Sequence, residues 1–195
     1  VKARAIPLVR QPAPAAVLVD AGNGFAFPAI LAGLEKAIPL ARGNGVSVLG
    51  VTRSHHCGVV GLYAERIAEA GLISLIFSNT PAAMAPWNGS KASFGTNPLA
   101  FGCPREGKHP LVIDMSLSKV ARGKIMGAKQ RGEAIPEGWA LDAAGRATTD
   151  PVAAVGGTMI PVGDAKGAAL ALMVEILSAT LTGANHAYEA SSFFE

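Results

Sequence analysis

Residues 54–58 read Ser-His-His-Cys-Gly, placing two of the chain's four histidines side by side, next to one of its two cysteines. An apolar run, VSVLGV at 46–51, precedes them and a helical pattern follows, so the cluster stands at a strand-to-helix corner. Three chemistries are open to such a group. A zinc site is disfavoured, because adjacent histidines on extended backbone point to opposite sides and no H-x-x-x-H or C-x-x-C spacing accompanies them. A thiolate dyad of Cys57 with His56 meets a similar objection, since neighbours in sequence rarely bring both side chains face to face. Acid/base work fits better: imidazole titrates near neutrality, and such a corner can project it into a cleft. The competing structural reading is a loop histidine that only caps or solvates.

Other stretches carry chemistry of their own. Phe94-Gly95-Thr96-Asn97-Pro98 can offer the Thr96 hydroxyl to a ligand or simply turn the chain, and Pro98 predicts extended backbone at Asn97. Asp114-Met115-Ser116 ends an apolar run, where α/β sheets bind ligands, but also suits the cap of a following helix. In Gly163-Asp164-Ala165-Lys166-Gly167 the lysine can meet an anion, or the segment can merely cap a helix. Trp87 in APWNG can stack on a flat ring or pack, and Glu175 in an apolar helix reads as a paired structural carboxylate.

Two near-motifs fail. Residues 102–109 approach a P-loop, but His109 replaces the hydroxyl residue and an apolar strand follows where a helix should begin. Gly22-Asn23-Gly24 begins like a dinucleotide fingerprint, yet Phe27 occupies the third glycine position. No G-x-S-x-G elbow is present.

The elements that must position these residues alternate in type. A short apolar run covers 17–20, and helical spacing begins at Pro28, with Pro39 expected to kink or shorten it and Gly43-Asn44-Gly45 to stop it. VSVLGV is expected as a buried strand, 59–70 as a helix and LISLIF at 72–77 as a strand. A long Gly/Pro-rich loop of the kind that binds something follows. LAFGCP and LVIDM form a strand pair, 118–131 a helix, GWALD to TTDP a loop, Pro151 a short helix, and 167–182 a buried amphipathic helix. That last stretch, sixteen residues with Glu175 inside it, is too short and too polar to span a bilayer. The pattern is α/β. Half the residues are hydrophobic, enough for a core without staples, and the +3 charge is scattered, which argues against a nucleic-acid partner. Two cysteines fit a reducing, cytoplasmic setting.

Taken in order, SHHCG, NTPAAMAPWNG, FGTNPLAFGCP, VIDMSLSKVARGK, IPEGWALD, TTDP, GDAKGAALALMVEIL and EASSFF resemble the malate/L-lactate dehydrogenase family of nicotinamide-dependent oxidoreductases. That family also includes ureidoglycolate and sulfolactate dehydrogenases and the reductases of Δ1-piperideine- and Δ1-pyrroline-2-carboxylate. The resemblance implies a non-Rossmann α/β fold, a mixed sheet flanked by helices in the manner of the sulfolactate dehydrogenase cofactor domain. Residues 1–16 are then an arm or linker, and 17–195 an NAD(P)-binding domain of a longer chain.

By the same resemblance, His56 matches the histidine of an S-x-H-F-G motif and is the candidate acid/base, with Cys57 standing where an aromatic residue is usual. His56, Cys57, Gly58, Val59, Val60, Thr80, Asp114, Met115, Ser116, Ala165 and Lys166 are implied to contact NADP or NAD, and Thr96 the substrate. PWNG departs from the family's PWGG at Asn88. The implied reaction moves a hydride to or from the α-carbon of a small α-keto, 2-hydroxy or cyclic α-imino acid. The wording of SHHCG and SLSKVARGK leans toward the cyclic-imine reductases, with a malate/lactate-type dehydrogenase as the alternative. A homodimer is expected, and no metal or membrane. The rival of another class is a non-catalytic nucleotide-binding module, and a metal-dependent hydrolase on His55-His56 is the remotest.

Overall fold

The computed structural model describes residues 1–191; residues 192–195, and with them the second half of the EASSFF match, lie outside the described residues. The opening segment, expected as an arm or linker, carries a strand. Leu8–Ala13 forms strand β1, which pairs antiparallel with β2 (Ala16–Asp20). Every β1 residue is exposed, so no alternation of apolar and polar side chains marked it as a strand. Backbone pairing holds it in place.

From β2 the chain turns into α1 (Ala26–Asn44) and returns as β3 (Val48–Thr52), parallel to β2. Pro39 neither ends nor shortens α1; the helix continues to Asn44 and stops at Gly45, whose φ of 81° is the left-handed conformation glycine adopts freely. Gly33 lets α1 approach the sheet, since a Cβ there would lie 2.5 Å from the Leu49 side chain. β3 is less buried than its apolar sequence predicts, only Thr52 being buried.

A second sheet is an antiparallel meander of β4 (Ser74–Phe77), β5 (Leu99–Cys103) and β6 (Leu111–Met115), preceded by α2 (Gly61–Glu69). Its α2 face is closed by Val60, Ala64 and Ala100, with Ile76 and Val112 against them. Gly102 makes that closeness possible, because a Cβ there would lie 2.3 Å from the Ala64 carbonyl oxygen. The opposite face, where Leu75, Phe101 and Ile113 lie in register, leaves Leu75, Phe77, Leu111, Ile113 and Met115 exposed.

The rest of the chain builds the largest core. It contains α3 (Arg122–Arg131), β7 (Ala140–Leu141), β8 (Ala147–Thr148), α4 (Pro151–Gly156), β9 (Thr158–Met159), α5 (Ala165–Glu175) and a π-helical turn at Ile176–Thr180. The segment expected as plain loop holds the β7–β8 hairpin, whose two-residue strands are too short to show a period. α3 starts later than predicted, because Ser118 bridges Pro161 instead. Met84, on the long loop after β4, is fully buried with Leu117, Ile125 and Val174 and bridges both Phe94 and Met159. α5 buries Gly167, Ala168, Ala171, Val174 and Glu175 but exposes Leu170, Leu172 and Met173, so it is buried on one side only. The architecture is therefore α/β, as expected, but among the described residues it is divided into three small sheets, of which only β1-β2-β3 is mixed.

Candidate functional site

A path of direct hydrogen bonds joins Thr80 and Thr96 to the segment after β6 and to the loop before α5. The Thr96 N–H donates to the Thr80 hydroxyl at 2.8 Å, and the two threonine hydroxyls lie 3.3 Å apart. The Leu117 N–H donates to the Thr96 carbonyl, and the Val162 N–H to the Leu117 carbonyl, both at 2.8 Å. The FGTNP turn, the segment after β6 and the entry to α5 are thereby stitched together. Ser118 seals the middle of the path, its hydroxyl donating to the Val120 carbonyl at 2.7 Å and lying 3.1 Å from the Ser116 hydroxyl.

The 54–58 corner joins from the other side. His56 is exposed, and the Gly58 N–H donates to its Nδ1 at 2.8 Å. That bond requires Nδ1 to carry no proton, so the neutral ring presents Nε2–H as a donor. Proton uptake at Nε2 would need the proton on Nδ1 instead, and the Gly58 amide would have to release the ring. Gly58 sits at φ 72°, and a Cβ there would lie 2.9 Å from the Phe27 ring, so the tight corner itself calls for glycine. His55 packs edge-on against Phe25, with ring centroids 6.0 Å apart.

Cys57 points inward. Its Sγ lies 3.9 Å from the Ser78 hydroxyl, and burial pushes the thiol above its ordinary range, outweighing the lowering effect of that contact. It is a protonated thiol at neutral pH, which removes the thiolate-dyad reading. The Tyr63 hydroxyl donates to the Cys57 carbonyl at 2.8 Å and holds the corner against α2.

Asp114, Met115 and Ser116 do not act as one surface. Asp114 and Met115 are consecutive in β6 and face opposite sides of the sheet. One Asp114 carboxylate oxygen accepts the Gly61 N–H at 2.7 Å, where a negative group suits the N-terminus of α2. This ties β6 to the segment that follows His56, whereas Met115 lies in register with Leu99 on the uncovered face.

At the start of α5, Asp164 has φ 57° and its side chain does not cap its own helix. Its carboxylate lies 3.9 Å from the Lys119 ammonium. Ala165 and Lys166 are exposed. Two lysines and a helix N-terminus, opposed by one carboxylate, suit the phosphates of a dinucleotide. The donor set is therefore one that an anionic group fits. Among the described residues no group of three or more His, Cys, Asp or Glu side chains could hold a metal ion, and no helix is long and apolar enough to cross a membrane.

Sequence reasoning missed Ser78, Lys119 and, above all, Asn97. Asn97 is not extended, as its place before Pro98 predicts; its φ is 41°. Its side chain is wholly buried and tied to three partners, which hold the backbone in a conformation asparagine tolerates better than most residues. Asn88 shows the same tolerance: at φ 63°, with the Gly89 N–H donating to the Pro86 carbonyl at 2.8 Å, it makes the turn that PWGG would make. Trp87 beside it is 48% exposed. The rejected P-loop stretch is the β5–β6 turn, at the other end of α2, beside a shallow depression lined by Glu69, Arg105 and Lys108.

These features define an α/β domain that gathers polar loop residues around strand ends without a glycine fingerprint. The malate/L-lactate dehydrogenase family matches residues 1–195, and the chain belongs to that family. It is 61% identical over 179 residues to a (2R)-3-sulfolactate dehydrogenase (NADP(+)) of Chromohalobacter salexigens, covering 92% of this chain and 54% of that protein. It is 40% identical over 190 residues to a Δ1-pyrroline-2-carboxylate/Δ1-piperideine-2-carboxylate reductase of Pseudomonas syringae pv. tomato, covering 97% and 55%. The crystal structure of Δ1-piperideine-2-carboxylate reductase from the same organism superposes with a TM-score of 0.93 at 40% identity, over 96% of this chain and 57% of that one. Sulfolactate dehydrogenase from Methanocaldococcus jannaschii gives 0.86 at 34% identity, over 96% and 54%. The chain thus spans a little over half the length of the relatives it matches.

Proposed function

We propose that this chain serves an NADP-dependent oxidoreductase that interconverts a small 2-hydroxy acid and its α-keto acid. The observation that carries this reading is the 61% identity, across 92% of the chain, to a (2R)-3-sulfolactate dehydrogenase (NADP(+)). It moves the substrate preference from a cyclic imine toward a 2-hydroxy acid that bears a second anionic group. The cyclic α-imino acid stays as the second reading, supported by the reductases at about 40% identity and by the fold match of 0.93.

When bound, the nicotinamide accepts or supplies the hydride at the substrate's α-carbon. The chain's own residues supply orientation and proton control. Lys166 and the start of α5 meet the cofactor phosphates, Thr80 and the backbone of 56–60 border its ring, and the Thr96 hydroxyl orients the substrate carboxylate. His56 serves the reacting oxygen through Nε2, and Gly58 must release Nδ1 before the ring transfers a proton. Cys57, protonated and turned inward, takes no chemical part. The same reading includes a cytoplasmic location and a homodimer, the latter supported by the uncovered apolar face of the β4–β5–β6 sheet, which is unusual against water. Size-exclusion chromatography with light scattering checks the dimer.

The main test measures NADPH or NADP(+) turnover with 3-sulfolactate and its keto acid, oxaloacetate, pyruvate and Δ1-pyrroline-2-carboxylate. The sulfonated pair should be turned over fastest. Preference for the cyclic imine would reverse the order of the two readings, and tight cofactor binding with no turnover of any of these would favour a nucleotide-binding module instead.

A further inference from the structure

Glu175 and Asn97 meet inside the core, 3% and 0% exposed. The Asn97 amide donates to Glu175 Oε1 at 2.8 Å and to the Ala171 carbonyl at 3.0 Å. The other carboxylate oxygen, Oε2, accepts the Ala187 N–H at 3.1 Å. From Asn97 the connection continues outward: its Oδ1 accepts the Thr80 N–H at 3.4 Å, and the Thr80 hydroxyl accepts the Thr96 N–H at 2.8 Å. One run of bonds therefore leads from the last residue of α5 to the two threonines.

We propose that Glu175 is a positioning residue: through Asn97 it sets the Thr80–Thr96 pair for cofactor and substrate. This rests on the oxidoreductase reading above. Two observations point to positioning rather than simple packing. Asn97 holds φ 41° in front of a proline, a combination that local preference disfavours, so the side-chain bonds must outweigh the backbone. A carboxylate is also the group that suits both contacts, since two N–H donors approach its two oxygens and it is acceptor-only when ionised. Glutamine at 175 keeps the shape but supplies one acceptor and one donor, which sets an N–H against an N–H at Asn97 or at Ala187. Aspartate keeps the charge but is shorter by one methylene and cannot reach both partners.

The experiment titrates NADPH by fluorescence into the wild-type chain, E175Q and V174A, with circular dichroism confirming that each is folded at the working temperature. Val174 is the buried neighbour on α5, so V174A opens a cavity without touching the bond path. E175Q should weaken NADPH binding tenfold or more while V174A stays within about twofold of wild type, because misplaced contact groups, and not lost stability, are the cause. If E175Q fails to fold, E175D carries the same expectation. E175Q or E175D binding as tightly as wild type, or V174A losing as much affinity as either, overturns the positioning role alone. A wild-type chain that binds neither NADPH nor NADH overturns the oxidoreductase reading beneath it, and the proposal with it.

Discussion

The FGTNP turn and the SHHCG corner belong to one candidate site, but the protein holds them in opposite ways. The turn is anchored from within, with Asn97 wholly buried and bonded to α5 through Ala171 and Glu175. The corner lies at the surface, its exposed His56 held by the Gly58 N–H and its backbone by contacts such as His55 N–H to the Gly24 carbonyl at 2.8 Å. The difference suits two tasks. Groups that orient a ligand gain from rigidity, because small misplacements are costly. A group that moves a proton must change its own protonation and partners, which a buried network would resist.

The contrast is broken most severely from the rigid side. Gly95→Ala puts a Cβ 2.2 Å from the Thr80 carbonyl oxygen and 2.6 Å from Asn97 Oδ1, neither of which can yield. It should cost about 3 kcal/mol or more in urea unfolding and abolish cofactor binding together with stability. On the surface side, His56→Ala should lower turnover by about 10²–10⁴ with the unfolding midpoint nearly unchanged. A loss under about tenfold would leave His56 as a hydrogen-bond donor only. Asn97→Ala, which removes the amide from Glu175 Oε1 inside the core, should cost about 2 kcal/mol, again by urea unfolding.

Smaller effects sharpen the comparison through pH. Burial raises the Cys57 thiol above its ordinary 9.0, so its contribution to stability is complete below that value and is lost as pH rises through the higher folded pKa. Alkylation by iodoacetamide should accordingly be slow at neutral pH, and Cys57→Ala should flatten the alkaline end of the stability profile. Asp20 shows the opposite sign. The Arg53 guanidinium, in a side-chain ion pair, and the Gly22 N–H hold its carboxyl below the usual 3.8. Stability from this pair is present above 3.8 and lost as acid carries the pH through the lower folded value. The pair is exposed, so Arg53→Ala should move the acid midpoint only slightly, and less still in high salt.

Much of the scaffold was legible beforehand because its signals are local. Gly45 stops α1, Pro151 opens the short helix α4, and LAFGC and LVIDM pair as β5 and β6. The misses lack local signals. β1 has no buried residue, and β7 and β8 have two residues each. Within the candidate site, the motifs set Asp114 beside Met115, whereas the pleat sends the two side chains to opposite faces of β6. They also passed over Asn97, whose partners lie 74 and 78 residues further along.

The sequence alone therefore determined the α/β class, because residue type, periodicity and turn chemistry are properties of neighbours in the chain, and its ordered motifs carried the resemblance to the family. Only the tertiary structure decided which groups meet. It set Asp114 against the Gly61 amide, turned Cys57 inward toward Ser78, and closed the path from Glu175 through Asn97 to the two threonines. Those choices depend on distances between residues remote in sequence, and they exist only once the sheets and helices have packed.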